Sequence, residues 1–180
     1  MRLFVAVGID AEAKNAVMAD CQRLRKIAVG GHFTTADNLH LTLAFLGDVD
    51  LMIRTRIDQA LATVEFVPFP MTIAGLGRFP SGNRSILYFS VNGGEALPAL
   101  TRAIRTVLRE AGVSFDDKAF VAHLTIARET VITDADIVVA GNGPAITTFV
   151  RSFVLMESCR EGGNLVYRNR HEFPATTAPE

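Results

Sequence analysis

The chain has 180 residues, within the range of one compact domain and long enough to build a core without a metal or disulfide staple. With 49% hydrophobic and 21% charged residues it cannot be a largely disordered chain. Its net charge of −1 excludes a protein that coats long nucleic acid, which needs many Lys and Arg on phosphates, and leaves room for recognition of a short phosphorylated end.

Residues 2–9 are apolar, β-branched and aromatic and predict a buried strand, with Asp10 at the N-cap of the helix that follows. In that helix Val17, Met18, Cys21, Leu24 and Ile27 recur at three- and four-residue steps until Gly30-Gly31. Residues 39–46 alternate around His40 and Thr42 and predict a strand that stops at Gly47-Asp48. A second helix is predicted over 50–64 and closed by Pro68 and Pro70. A short strand over 70–76, a turn over 77–83 and a strand over 85–91 come next. Residues 96–111 carry Leu97, Leu100, Ile104, Val107 and Leu108 in helical register, with Gly112 just beyond. Residues 120–127 repeat the strand pattern around His123 and Thr125. A short helix over 134–140, strands over 148–157 and 165–173, and a loose tail over 174–180 complete the order.

No apolar run reaches the ~18 residues of a membrane span, and the opening apolar stretch is too short for a signal peptide, so the expectation is a cytoplasmic protein without membrane contact. Cys21 and Cys159 lack metal-ligand spacing and read as structural thiols.

No linker divides the chain, but it repeats itself. His40-Leu41-Thr42-Leu43-Ala44 and His123-Leu124-Thr125-Ile126-Ala127 differ only at their fourth position and lie nearly half the chain apart. Each follows a strand-and-helix stretch, which predicts one domain over 1–180 made of two similar lobes. On a strand, residues i and i+2 share a face, so each histidine stands beside its threonine while the aliphatic residues between them face the core. Two such strands facing one another offer two imidazoles and two hydroxyls around a small anion. One neutral imidazole can take a proton from water while the other, protonated, gives one to the departing oxygen. The hydroxyls can donate to non-bridging phosphate oxygens.

Taken singly, a histidine on a strand is more often a satisfied structural residue than a catalyst. The duplication changes that balance, because packing gives no reason for both strands to carry His and Thr on one face. A metal site is not expected: His32, His40, His123 and His171 include no i,i+4 pair, and no carboxylate cluster stands at ligand spacing. His32 and His171 read as solvent-facing or core-satisfied.

At these residues the sequence resembles the two-histidine phosphoesterases, and within them the RNA 2′,3′-cyclic phosphodiesterases, also called 2′-5′ RNA ligases. The resemblance runs from Arg2-Leu3-Phe4-Val5-Ala6-Val7 through Asn38 to Asp48, Gly75 to Pro80 and Phe120 to Arg128, to Phe153-Val154-Leu155-Met156-Glu157-Ser158. It implies an α+β, bilobal fold with two mainly antiparallel sheets flanking a central cleft and helices outside. It implies hydrolysis of an RNA 2′,3′-cyclic phosphate to a 2′-phosphate, with His40 as general acid, His123 as general base, and Thr42, Thr125 and Arg128 holding the phosphate. No cofactor or metal is implied, and the reverse 2′-5′ joining reaction can pass through the same pair. The expected partner is RNA with a 2′,3′-cyclic phosphate end, tRNA fragments included, met by a monomer.

The sequence departs from the family at Ala122, where proline usually precedes the second histidine, and at Phe33, where tryptophan is frequent. Phe33 is a candidate for base stacking or for packing, and Arg78 is divided between the site and the turn. Two rival readings remain at this point. One is a phosphodiesterase for another cyclic nucleotide-derived or 2′-5′ linked substrate. The other is a non-catalytic RNA-end binding module, which would need basic and stacking groups but not two proton-transfer groups.

Overall fold

Asp10 shows how local chemistry sets this architecture. Strand β1 (Arg2–Val7) buries every residue but Arg2, and helix α1 (Ala11–Leu24) starts where the Asp10 carboxylate accepts the Ala13 N–H at 2.9 Å. The same carboxylate accepts the Thr148 hydroxyl at 2.5 Å, tying the start of α1 to a strand from the far end of the chain. The computed structural model describes residues 1–141 and 143–176. After α1 come β2 (His32–Phe33), a single 3₁₀ turn (Ala36–Asn38), β3 (Leu41–Asp48) and α2 (Leu51–Leu61), capped by Asp50. The chain continues through β4 (Phe69–Ser81), β5 (Arg84–Asn92), α3 (Ala96–Glu110), β6 (His123–Thr130), α4 (Asp134–Ala140), β7 (Ile146–Val150), β8 (Ser152–Glu161) and β9 (Asn164–Pro174).

The strands form a four-stranded sheet in the order β3-β1-β8-β9 and a five-stranded sheet in the order β2-β6-β5-β4-β7, with every neighbouring pair antiparallel. This is the expected α+β fold of two antiparallel sheets. Helix α1 leaves the four-stranded sheet and packs against β7 of the other, whereas α3 leaves the five-stranded sheet and packs against β3. Buried side chains from both sheets and from the helices form one continuous cluster, from Leu3 and Val5 through Leu41, Leu87 and Leu124 to Phe153. Cys21 is buried in it, and Cys159 is partly exposed.

Several boundaries differ from the sequence pattern for identifiable reasons. The apolar run over 148–157 is two strands: it ends as β7 beside β4, crosses Arg151, and resumes as β8 in the other sheet. Periodicity cannot show a change of sheet when both strands are apolar. The turn expected over 77–83 shrinks to Gly82-Asn83, because β4 stays paired with β5 as far as Ser81 opposite Arg84. Pro80 is tolerated there, since β7 pairs with β4 only as far as Ile73 and leaves the later part of β4 as an edge. Strand β2 is too short for any pattern to register, and α1 stops at Leu24, short of Gly30. Pro174 closes β9, and the Ala175 and Thr176 N–H groups donate to Arg151 O at 2.7 Å and Phe66 O at 2.9 Å. The remainder of the expected tail, 177–180, lies outside the described residues.

Candidate active site

Both motifs sit at the start of a strand, His40 just before β3 and His123 as the first residue of β6. Each imidazole meets the backbone two residues upstream: His40 Nδ1 lies 2.7 Å from Asn38 O, and His123 Nδ1 lies 2.6 Å from Val121 O. A carbonyl can only accept, so each Nδ1 carries a hydrogen, and in the neutral ring the lone pair then lies on Nε2. His40 Nε2 lies 3.1 Å from Thr42 Oγ1, which places histidine and threonine on one face as the alternation required. Thr125 lies two residues after His123 on β6, opposite Tyr88 of β5.

Register then shifts in both strands at the same motif position. Ala6 pairs with Thr42 but Val5 with Ala44, so Leu43 is an extra residue in β3. Tyr88 pairs with Thr125 but Leu87 with Ala127, so Ile126 is extra in β6. These β-bulges turn Leu43 with Ala44, and Ile126 with Ala127, together into the core, where all four are buried. The next residue is thereby returned to the histidine face. In β6 that residue is Arg128, whose charge acts on both His40 and Tyr167 across from it. In β3 it is Phe45, whose ring carries the Arg2 guanidinium 5.1 Å from its centroid. Among the described residues Arg128 forms no ion pair.

The two imidazoles have unequal surroundings. His40 is wedged between Phe4 and Tyr167, each with its ring centroid 4.8 Å away. Burial pushes the His40 pKa down to about 4; the Asn38 carbonyl opposes that fall, and the Arg128 and His123 charges add to it. Burial likewise raises Tyr167. His123 stands edge-on to Phe79 at 5.0 Å and to Tyr88 at 5.6 Å, and those two rings stack on each other at 4.2 Å. Tyr88 lies over Gly77, where a Cβ would come within 2.5 Å of its ring, so glycine is needed there for space.

Asn38, Phe4, Tyr167, Phe79 and Tyr88 are the neighbours that sequence reasoning missed. Only Asn38 left a signal, two residues before the histidine. The aromatic residues look like ordinary strand residues until pairing shows which face they share. Phe33 lies beside the second motif, paired with Ala127, and one face of its ring carries Arg25 at 5.0 Å. Arg78 points elsewhere: its Nε donates to Asp134 at 2.7 Å and its Nη1 to Ser85 Oγ at 3.2 Å, anchoring α4 to the hairpin. His32 is exposed, and His171 binds Asp58 at 3.0 Å and stacks on Phe173. Among the described residues, no group of three or more His, Cys, Asp or Glu could hold a metal ion, and no helix is long and apolar enough to cross a membrane.

The chain is similar to known proteins in sequence and in fold. Residues 13–158 match the model of the 2′-5′ RNA ligase superfamily. The chain is 35% identical to an RNA 2′,3′-cyclic phosphodiesterase of Archaeoglobus fulgidus over 71% of this chain and 72% of that protein. It is 29% identical to a protein of the same name from Thermotoga maritima, over 96% of this chain and 94% of the relative. The crystal structure of E. coli LigT complexed with 3′-AMP shares the fold, with a TM-score of 0.82 at 23% identity over 97% of this chain and 98% of that one.

Proposed function

Given that the chain belongs to the 2′-5′ RNA ligase superfamily, we propose that it is a hydrolase that opens 2′,3′-cyclic phosphates at RNA ends, leaving a 2′-phosphate. The observation that carries this reading is the pair of imidazoles, each with Nδ1 held by a backbone carbonyl, which turns Nε2 to the side that the motif threonine shares. Water attacks phosphorus as His123 Nε2 takes its proton. The bond from phosphorus to the 3′ oxygen breaks as His40 Nε2 supplies a proton to that oxygen. Thr42, Thr125 and Arg128 hold the non-bridging oxygens, where charge is concentrated in the transition state. No step calls on a metal. With a 5′ hydroxyl taking the place of water as nucleophile, the same groups would open the cyclic phosphate into a 2′-5′ phosphodiester while the 3′ oxygen leaves with its proton, a 2′-5′ ligation.

His40 is neutral in the free protein near neutrality, because its pKa lies at about 4. An anionic phosphate beside Nε2 favours the imidazolium, so substrate itself supplies the condition under which His40 can act as an acid. For the bases of the RNA, Phe33 offers its face opposite Arg25, and the Phe79–Tyr88 stack offers another surface beside His123. We further place the protein in the cytoplasm as a monomer, a state that sedimentation would check.

The test is incubation with an oligonucleotide ending in a 2′,3′-cyclic phosphate, in the presence of chelator, followed by identification of the product. A 2′-phosphate is expected. A 3′-phosphate, arrest by chelator, or tight binding without turnover would each sink the scheme. His40→Ala and His123→Ala should each lower kcat/KM by about 10²- to 10⁴-fold, the usual contribution of a proton-transfer group.

A further inference from the structure

The carbonyl that orients His40 belongs to a residue that is itself held in place by unusual means. Strand β9 is an outer strand of the four-stranded sheet, at the opposite side from β3. An outer strand leaves a row of backbone groups without strand partners. Asn38 fills part of that row with its side chain. Its Nδ2 donates to Leu165 O at 2.8 Å, and its Oδ1 accepts the Tyr167 N–H at 3.1 Å. A carbonyl at one residue and an N–H two residues on point the same way from a strand, so the amide serves as one residue of an absent neighbouring strand. The contact draws the start of β3 across to the far edge of its own sheet.

Asn38 therefore acts on His40 twice. Its backbone carbonyl receives His40 Nδ1–H at 2.7 Å, and its amide fixes the backbone of Tyr167, whose ring stands edge-on to the same imidazole at 4.8 Å. His123 has a backbone acceptor in Val121 O, but among the described residues Val121 has no side-chain clamp; it is an exposed valine, and its segment is held by Val91 N–H on Ala122 O at 3.1 Å. We propose that Asn38 is a positioning residue for His40: by pairing its amide with the edge of β9, it holds the carbonyl that keeps the proton on Nδ1 and directs Nε2 toward Thr42. The proposal rests on the reading of His40 as catalytic, yet it has consequences that can be seen without turnover.

The experiment is ¹⁵N NMR of the histidine side chains in the full chain and in Asn38→Ala, with kinetics on the cyclic-phosphate oligonucleotide. In the unaltered protein at neutral pH, His40 should show the Nδ1–H tautomer alone; an Nε2–H tautomer there overturns the proposal outright. In Asn38→Ala, His40 should exchange between tautomers while His123, an internal control, keeps its signals. The kcat should fall by about 10- to 100-fold, as when an orienting partner is lost, with KM changed far less. Asn38→Asp retains an acceptor for Tyr167 N–H and loses the donor to Leu165 O, so it should lie between the two and serves if the alanine variant does not fold. An unchanged His40 tautomer in both variants would show that the carbonyl stays in place without the amide, and equal disturbance of both histidines would show general loosening; either refutes the assignment. If the protein proved inactive on every cyclic phosphate, the functional reading would fail while the tautomer measurement still decided the role of Asn38.

Discussion

At the scale of single residues, the site depends on what burial does to one imidazole. His40 has its pKa pushed to about 4 by burial, so between the ordinary imidazole value and pH 4 the unfolded chain binds a proton that the folded chain refuses. Stability must therefore fall as pH drops through that window, by at most roughly 1.4 kcal/mol per pH unit from this group. Chemical denaturation at pH 7, 6 and 5 should show the decline, and His40→Gln should flatten it. None of this was readable from His40 and its neighbours in sequence, because the rings that bury it come from β1 and β9.

At the scale of elements, the strands carry the information that a linear reading partly loses. The alternation of His40 with Thr42 and of His123 with Thr125 was legible, and each pair shares a face for the reason alternation gives. Arg128 was not legible in that way. Strict alternation puts it on the face opposite Thr125, and only the extra residue Ile126 brings it back. That geometry predicts that Arg128→Ala removes a charge-assisted contact to phosphate and lowers kcat/KM by about 10- to 100-fold, equivalent to roughly 1.5–3 kcal/mol. Steady-state kinetics showing no loss would mean that the bulge does not aim Arg128 at substrate. Helix α1 offers a contrasting case. Its cap, Asp10, was recognisable from position alone, but its bond to Thr148 Oγ1 was not, since β7 is distant in sequence. Asp10→Ala should cost about 1–2 kcal/mol through loss of the cap. A thermal melt should show this while kcat at low temperature stays intact.

For the whole molecule, the repeat in sequence invites a picture of two lobes that could each stand alone, and the course of the chain argues otherwise. Helix α1 covers the sheet that β1 does not belong to, and α3 covers the sheet that β5 does not belong to. The division of the apolar run at Arg151 between β7 and β8 adds a further crossing. Each lobe thus lacks part of its covering until the other is made. We expect a single cooperative unfolding transition, and we expect residues 1–93 expressed alone to remain unfolded by circular dichroism. Two separated transitions would show that the lobes are independent.

The acceptors on the two histidine Nδ1 atoms are both main-chain oxygens. Many catalytic imidazoles are steered by a carboxylate, which can be deleted by one substitution and which brings its own titration. Here the steering group has no pKa in the working range and no codon of its own. Substitution can displace it, as at Asn38, but cannot remove it, and salt or acid cannot neutralise it. Which nitrogen of each ring is held by the main chain is therefore a property of the path of the backbone, set as the chain folds.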